Sequence, residues 1–68
     1  MKIKLGDSGH QDPFKFKLGD KVRVRYEERT GVVVYGEYFT DVRPYPIFYR
    51  VKLSDEVLLV MPEDIDLA

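Results

Sequence analysis

GDKVRVRYEERTGVVVYGEYF, residues 19–39, is the stretch that decides the fold. Over residues 21–26, Val22, Val24 and Tyr26 fall on one side and Lys21, Arg23 and Arg25 on the other. That period of two marks an antiparallel strand with one buried face. Glu27-Glu28-Arg29-Thr30 reads as a turn, with Gly31 supplying a positive φ at its end. Residues 31–39 read as the returning strand. Val32, Val33 and Val34 do not alternate, so either parity fits the core, and the strand is expected to be covered on both sides or to curve across a barrel. Gly36 within it marks a bulge or a sharp bend.

Downstream of the hairpin the same logic continues. Residues 40–46, TDVRPYP, form the longest central loop, stiffened by Pro44 and Pro46. Residues 47–53 form a third strand, with Ile47, Tyr49, Val51 and Leu53 opposite Phe48, Arg50 and Lys52. Ser54-Asp55-Glu56 is a tight turn and residues 57–61 a fourth strand. Pro62-Glu63-Asp64 suits a single helical turn, with proline at its start and acids near the positive end of the dipole. Ile65 and Leu67 complete a short fifth strand. No apolar pattern of period 3.6 is sustained. The expected fold is all-β, a small five-stranded antiparallel barrel with a one-turn helix before the last strand. Its core is expected to draw on Val22, Val24, Val33, Val51, Leu53, Leu59 and Ile65.

Upstream, residues 1–13 read as an N-terminal extension to a barrel domain of residues 14–68. Ile3 and Leu5 alternate with Lys2 and Lys4, then GDSGHQDP strings loop formers together. KIKLGD at residues 2–7 is echoed by KFKLGD at residues 15–20. Two near-identical strand starts compete for one place in a sheet, which offers a route to register slippage, strand exchange and a homo-oligomer.

The motif Gly19-Asp20-x-Val22-x-Val24, followed by Gly31-x-Val33, resembles the opening of SH3-like barrels of the KOW and Tudor-like type. The tail of strand, tight turn, strand, one-turn helix and short strand is similar to the way such barrels close. The resemblance spans residues 18–68 and implies an SH3-like barrel. KOW modules usually carry a basic, glycine-rich loop between their first two strands, often used for RNA or ribosome contact. Here that position holds Glu27 and Glu28, whose charge opposes a phosphate backbone.

Composition narrows the function. With 68 residues there is one domain and a modest core. There is no cysteine and one histidine, His10, so neither a disulfide, a thiol nucleophile nor a zinc site is expected, and no cofactor. No serine–histidine–acid set has a scaffold to hold it, so the chain is not expected to be an enzyme. No run approaches the roughly 20 apolar residues of a membrane span, and the N-terminus lacks the apolar core of a secretory signal, so a cytoplasmic protein with no membrane partner is expected.

Net charge is −1, but residues 1–25 hold seven Lys/Arg against three Asp/Glu, and residues 26–68 hold four against nine. Two surfaces are therefore candidates. Arg43, Tyr45 and Phe48 in and beside the proline loop are the residue types protein interfaces favour, so another protein is the expected partner. Lys21, Arg23, Arg25, Arg50 and Lys52 on the polar strand faces, with Phe48 on the parity of Arg50, form the alternative: a face for RNA or another single-stranded nucleic acid. A methyl-lysine cage would instead need three or four rings converging at one end.

Overall fold

The structure is a computed structural model describing residues 1–6 and 14–68. Among these, six strands form one antiparallel sheet: β1 (Lys2–Lys4), β2 (Lys21–Val24), β3 (Arg29–Phe39), β4 (Ile47–Lys52), β5 (Val57–Val60) and β6 (Ile65–Leu67), with a one-turn 3-10 helix at Pro62–Asp64. The hydrogen-bonded order is β5-β4-β3-β2-β6, and β1 joins on β3. The sheet thus has one strand more than expected, and no ladder among the described residues joins β5 to β6.

β3 is the spine. One edge pairs with β4 from Val32 to Tyr38. The other edge is shared: β2 takes Arg29–Val32 and β1 takes Glu37–Phe39. Between them the second copy of the repeat touches β3 through Gly19 N donating to the Val33 carbonyl (2.8 Å) and Val33 N donating to the Asp20 carbonyl (3.0 Å). In the first copy Leu5 N donates to the Gly36 carbonyl at 2.8 Å. Leu5 of the first copy and Gly19-Asp20 of the second thus bond to successive places along one edge of β3. Each contains a Leu-Gly pair with the glycine at a φ of +90° or +89°, which glycine adopts without the Cβ penalty. Residues 7–13 of the expected N-terminal extension lie outside the described residues.

The register resolves the valine run. A bulge between Val33 and Tyr35 shifts the inward parity of β3 from Gly31 and Val33 to Gly36 and Tyr38. Val32 and Val34 face outward, 37 % and 45 % exposed, so β3 is not covered on both sides. The bulge falls two residues before Gly36. That glycine stays paired with Tyr49, and a Cβ there would sit 3.1 Å from Leu5. Close packing, not bending, is what it serves.

Four other expectations change. The hairpin turn comes earlier, at residues 25–28, where Glu27 N and Glu28 N donate to the Val24 carbonyl. Glu28, not Gly31, takes the positive φ, because Gly31 is already inside β3 opposite Val22. β2 consequently ends at Val24 and Tyr26 is 59 % exposed in the turn. Leu59, expected in the core, is 61 % exposed. It pairs with Arg50, whereas Leu58 pairs with the buried Val51, so β4 imposes the parity of β5.

The remaining expected core residues, Val22, Val24, Val33, Val51, Leu53 and Ile65, are buried and are joined by Leu5, Phe16, Tyr49 and Val60. Each such aliphatic side chain contributes about 1.5–3 kcal/mol by leaving water. Tyr49 is the largest of the fully buried side chains. Its hydroxyl accepts from Lys15 N at 2.9 Å and Phe16 N at 3.4 Å, which ties the segment before β2 to the sheet.

Candidate functional site

The two residues of the proline loop come together. Arg43 lies over the Tyr45 ring, 5.1 Å from its centroid. Tyr45 in turn packs on Tyr38 at 5.3 Å, and Tyr38 meets Phe14 edge-on at 5.1 Å. Phe14 continues to Tyr49 at 6.0 Å, so a column of rings runs from the core to the guanidinium at the surface. Such contacts add about 0.5–1.5 kcal/mol per aromatic pair beyond burial and hold Tyr45 in one place. The rings pack on one another rather than walling an opening. No cavity opens among the described residues, and the face of Tyr45 is already taken by Arg43.

Phe48 does not join this group. It pairs with Glu37, while Tyr45 rests on Tyr38, the next residue of β3 and therefore on the opposite side of the sheet. Sequence proximity to the loop was misleading because strand alternation separates neighbours.

Phe48 instead lies on the outer face, where paired residues share a side. Across the strands Lys21 faces Val32, Val32 faces Lys52, and Lys52 faces Val57. The next row runs from Tyr35 through Arg50 to Leu59, and the next pairs Glu37 with Phe48 and with Lys4 of β1. Arg23 opposes Thr30 on one side and Asp66 on the other. Among the described residues the strands of the outer face thus collect Lys2, Lys4, Lys21, Arg23, Arg50 and Lys52 against the carboxylates of Glu37 and Asp66. Lys2 and Lys4 were not among the expected basic residues; their alternation with Ile3 and Leu5 was the available signal.

Not all of these cations are free to meet a ligand. Arg25, beyond the end of β2, grips Asp66 with two bonds, Nε to Oδ2 at 2.7 Å and Nη2 to Oδ1 at 2.8 Å. Arg23 lies 3.6 Å from Glu28. Arg50 lies over the Tyr35 ring at 5.3 Å, and Tyr35 donates its hydroxyl hydrogen to Glu37 at 2.8 Å. Lys21 and Lys52 make no ion pair among the described residues. At the far end of the hairpin, Arg29 reaches Asp55 at 2.6 Å and Glu56 at 3.2 Å, and so clamps one tight turn to the next.

These guanidinium contacts hold the Asp55 and Asp66 carboxyls below the ordinary carboxylate range, chiefly through the hydrogen bonds from Arg29 and Arg25. A carboxyl whose pKa is lower folded than unfolded stabilises the fold above its unfolded value of about 3.9, and that contribution is lost as pH falls through the folded value. Both pairs are solvent-exposed, so the effect is small. Urea unfolding of Asp55→Asn plus Asp66→Asn is expected to show a shallower loss of stability between about pH 5 and pH 2 than the parent chain. Identical acid-side slopes would mean that the two clamps do not persist in solution.

Among the described residues no three His, Asp or Glu side chains are grouped to hold a metal ion, and no helix is long and apolar enough to cross a membrane. His10 lies outside the described residues. No family model, curated protein or solved structure matches this chain.

Proposed function

We propose that the chain is a non-catalytic binding module for another protein in the cytoplasm, built on a small SH3-like barrel. The order β5-β4-β3-β2-β6, the one-turn helix before β6 and a single core cluster support this reading. In that reading β1 is an addition to the barrel's five strands, placed along the free half of the β3 edge.

The observation that carries the binding role is the column Phe14–Tyr38–Tyr45 capped by Arg43. It presents an arginine stacked on a tyrosine, two residue types that protein interfaces favour. Recovery of cross-linked partners on the parent chain, compared with Arg43→Ala plus Tyr45→Ala, tests it. Loss of a partner with the double variant is expected, and equal recovery would argue against the loop.

A second reading, binding of RNA or another single strand, is favoured by one observation: Lys21, Arg23, Arg50 and Lys52 share a face with Phe48. It predicts an affinity for oligouridylate that falls steeply with added salt. Absence of binding at low salt would end it. Arg25, committed to Asp66, is expected to contribute nothing to such binding.

A further inference from the structure

The outer face carries more than charge. Val57 and Leu59 are 51 % and 61 % exposed, and Val32 and Val34 stand on the same side. The register places aliphatic and cationic side chains next to one another: Val32 beside Lys21 and Lys52, Leu59 beside Arg50. Exposed Val32, Val57 and Leu59 thus alternate with cations across one face, a surface that is apolar and basic at once. They gain nothing from a phosphate backbone, which rewards cations and flat rings.

We propose that this face, centred on Val32, Arg50, Lys52, Val57 and Leu59, docks an acidic amphipathic polypeptide segment. Its apolar side chains cover the valines and Leu59, and its carboxylates meet Lys21, Arg50 and Lys52. Charge complementarity selects this occupant. In a chain of net charge −1, the strands of this face gather six cations against two carboxylates among the described residues, with Glu28 of the hairpin turn beside Arg23 as a third. A second copy would bring the same cations against them and be repelled. The inference rests on the reading of the chain as a protein-binding module, and names the chemistry of the partner and a surface distinct from the Arg43–Tyr45 loop.

The test uses the whole chain, isotopically labelled, and three probes: a synthetic amphipathic peptide of leucine, glutamate and alanine, the same peptide with lysine for glutamate, and oligothymidylate. The glutamate peptide is expected to shift the amide NMR signals of Val32, Arg50, Lys52, Val57 and Leu59, and the lysine peptide to leave them in place. Leu59→Ser and Arg50→Glu, both at exposed positions, are each expected to weaken that binding by about tenfold or more. Equal shifts with either peptide, no shift, or shifts produced by oligothymidylate alone would overturn the proposal. Failure here with partner loss in Arg43→Ala plus Tyr45→Ala would remove only this face. Shifts here with unchanged partner recovery in that variant would remove only the loop.

Discussion

Replacing Gly31 by alanine is expected to lower the melting temperature by about 12 °C or more. Gly31 lies in β3 opposite Val22, and a Cβ there would sit 2.6 Å from the Lys52 carbonyl oxygen, 2.6 Å from Val51 Cγ1 and 2.7 Å from Leu53 Cδ2. A side chain can swing aside at modest cost. The Lys52 backbone cannot, because Lys52 is paired with Val32 on one side and Val57 on the other. Relief therefore requires β4 to move as a unit, which places the cost at about 3 kcal/mol, the upper end of overpacking. For a domain of this size each kcal/mol is worth roughly 4–8 °C. Circular dichroism melts of Gly31→Ala and Gly19→Ala make the comparison. Gly19 has a φ of +89° but nothing within 4 Å of an added Cβ, so its loss is limited to backbone strain, about 1–2 kcal/mol. If Gly31→Ala melts within a few degrees of the parent, β3 and β4 do not approach as described.

Removing one oxygen atom from Tyr49 is expected to destabilise the fold by about 1–3 kcal/mol. Tyr49→Phe keeps the ring, and with it the contacts to Phe16 at 5.5 Å and Phe14 at 6.0 Å. It deletes the acceptor for Lys15 N and Phe16 N, the latter in a buried setting. A buried donor left without a partner costs about 1–3 kcal/mol. The loss is local in character: the Lys15 and Phe16 amides should exchange with solvent well before the amides of β3 and β4. Burial pushes the Tyr49 phenol pKa up, so the hydroxyl stays neutral through the ordinary pH range and the bonds do not titrate there. Unchanged stability together with unchanged exchange at Lys15 and Phe16 would show that the hydroxyl does not hold this segment. Tyr49→Ala, which also opens a cavity, should cost about 3–5 kcal/mol and unfold the sheet as a whole.

These two residues illustrate what could and could not be read in advance. Gly31 stood out as a glycine, but its expected service was a turn. Its actual service is to let two strands approach, and that depends on which atoms of residues 51–53 lie opposite. Tyr49 was assigned to the inward side of its strand by alternation alone. The partners of its hydroxyl, more than thirty positions earlier, carry no local signal. The candidate site divides in the same way. Arg43 and Tyr45 are two residues apart in a proline-stiffened loop, and the structure stacks one on the other. Phe48 is nearly as close in sequence but is carried to the other side of the sheet by one step of alternation.

Local sequence determined what alternation and turn chemistry can express. The β2 and β4 faces, the helical turn at Pro62–Asp64 and the all-β class follow from residues a few positions apart. The tertiary structure decided whatever depends on pairing. Val32–Val34 and VLLV at Val57–Val60 are apolar on both sides, so hydrophobicity gives them no preferred parity. The bulge in β3 and the buried residues of β4 supply it. That choice put Leu59 outside, on the same face as Arg50, because in an antiparallel ladder directly paired residues share a face.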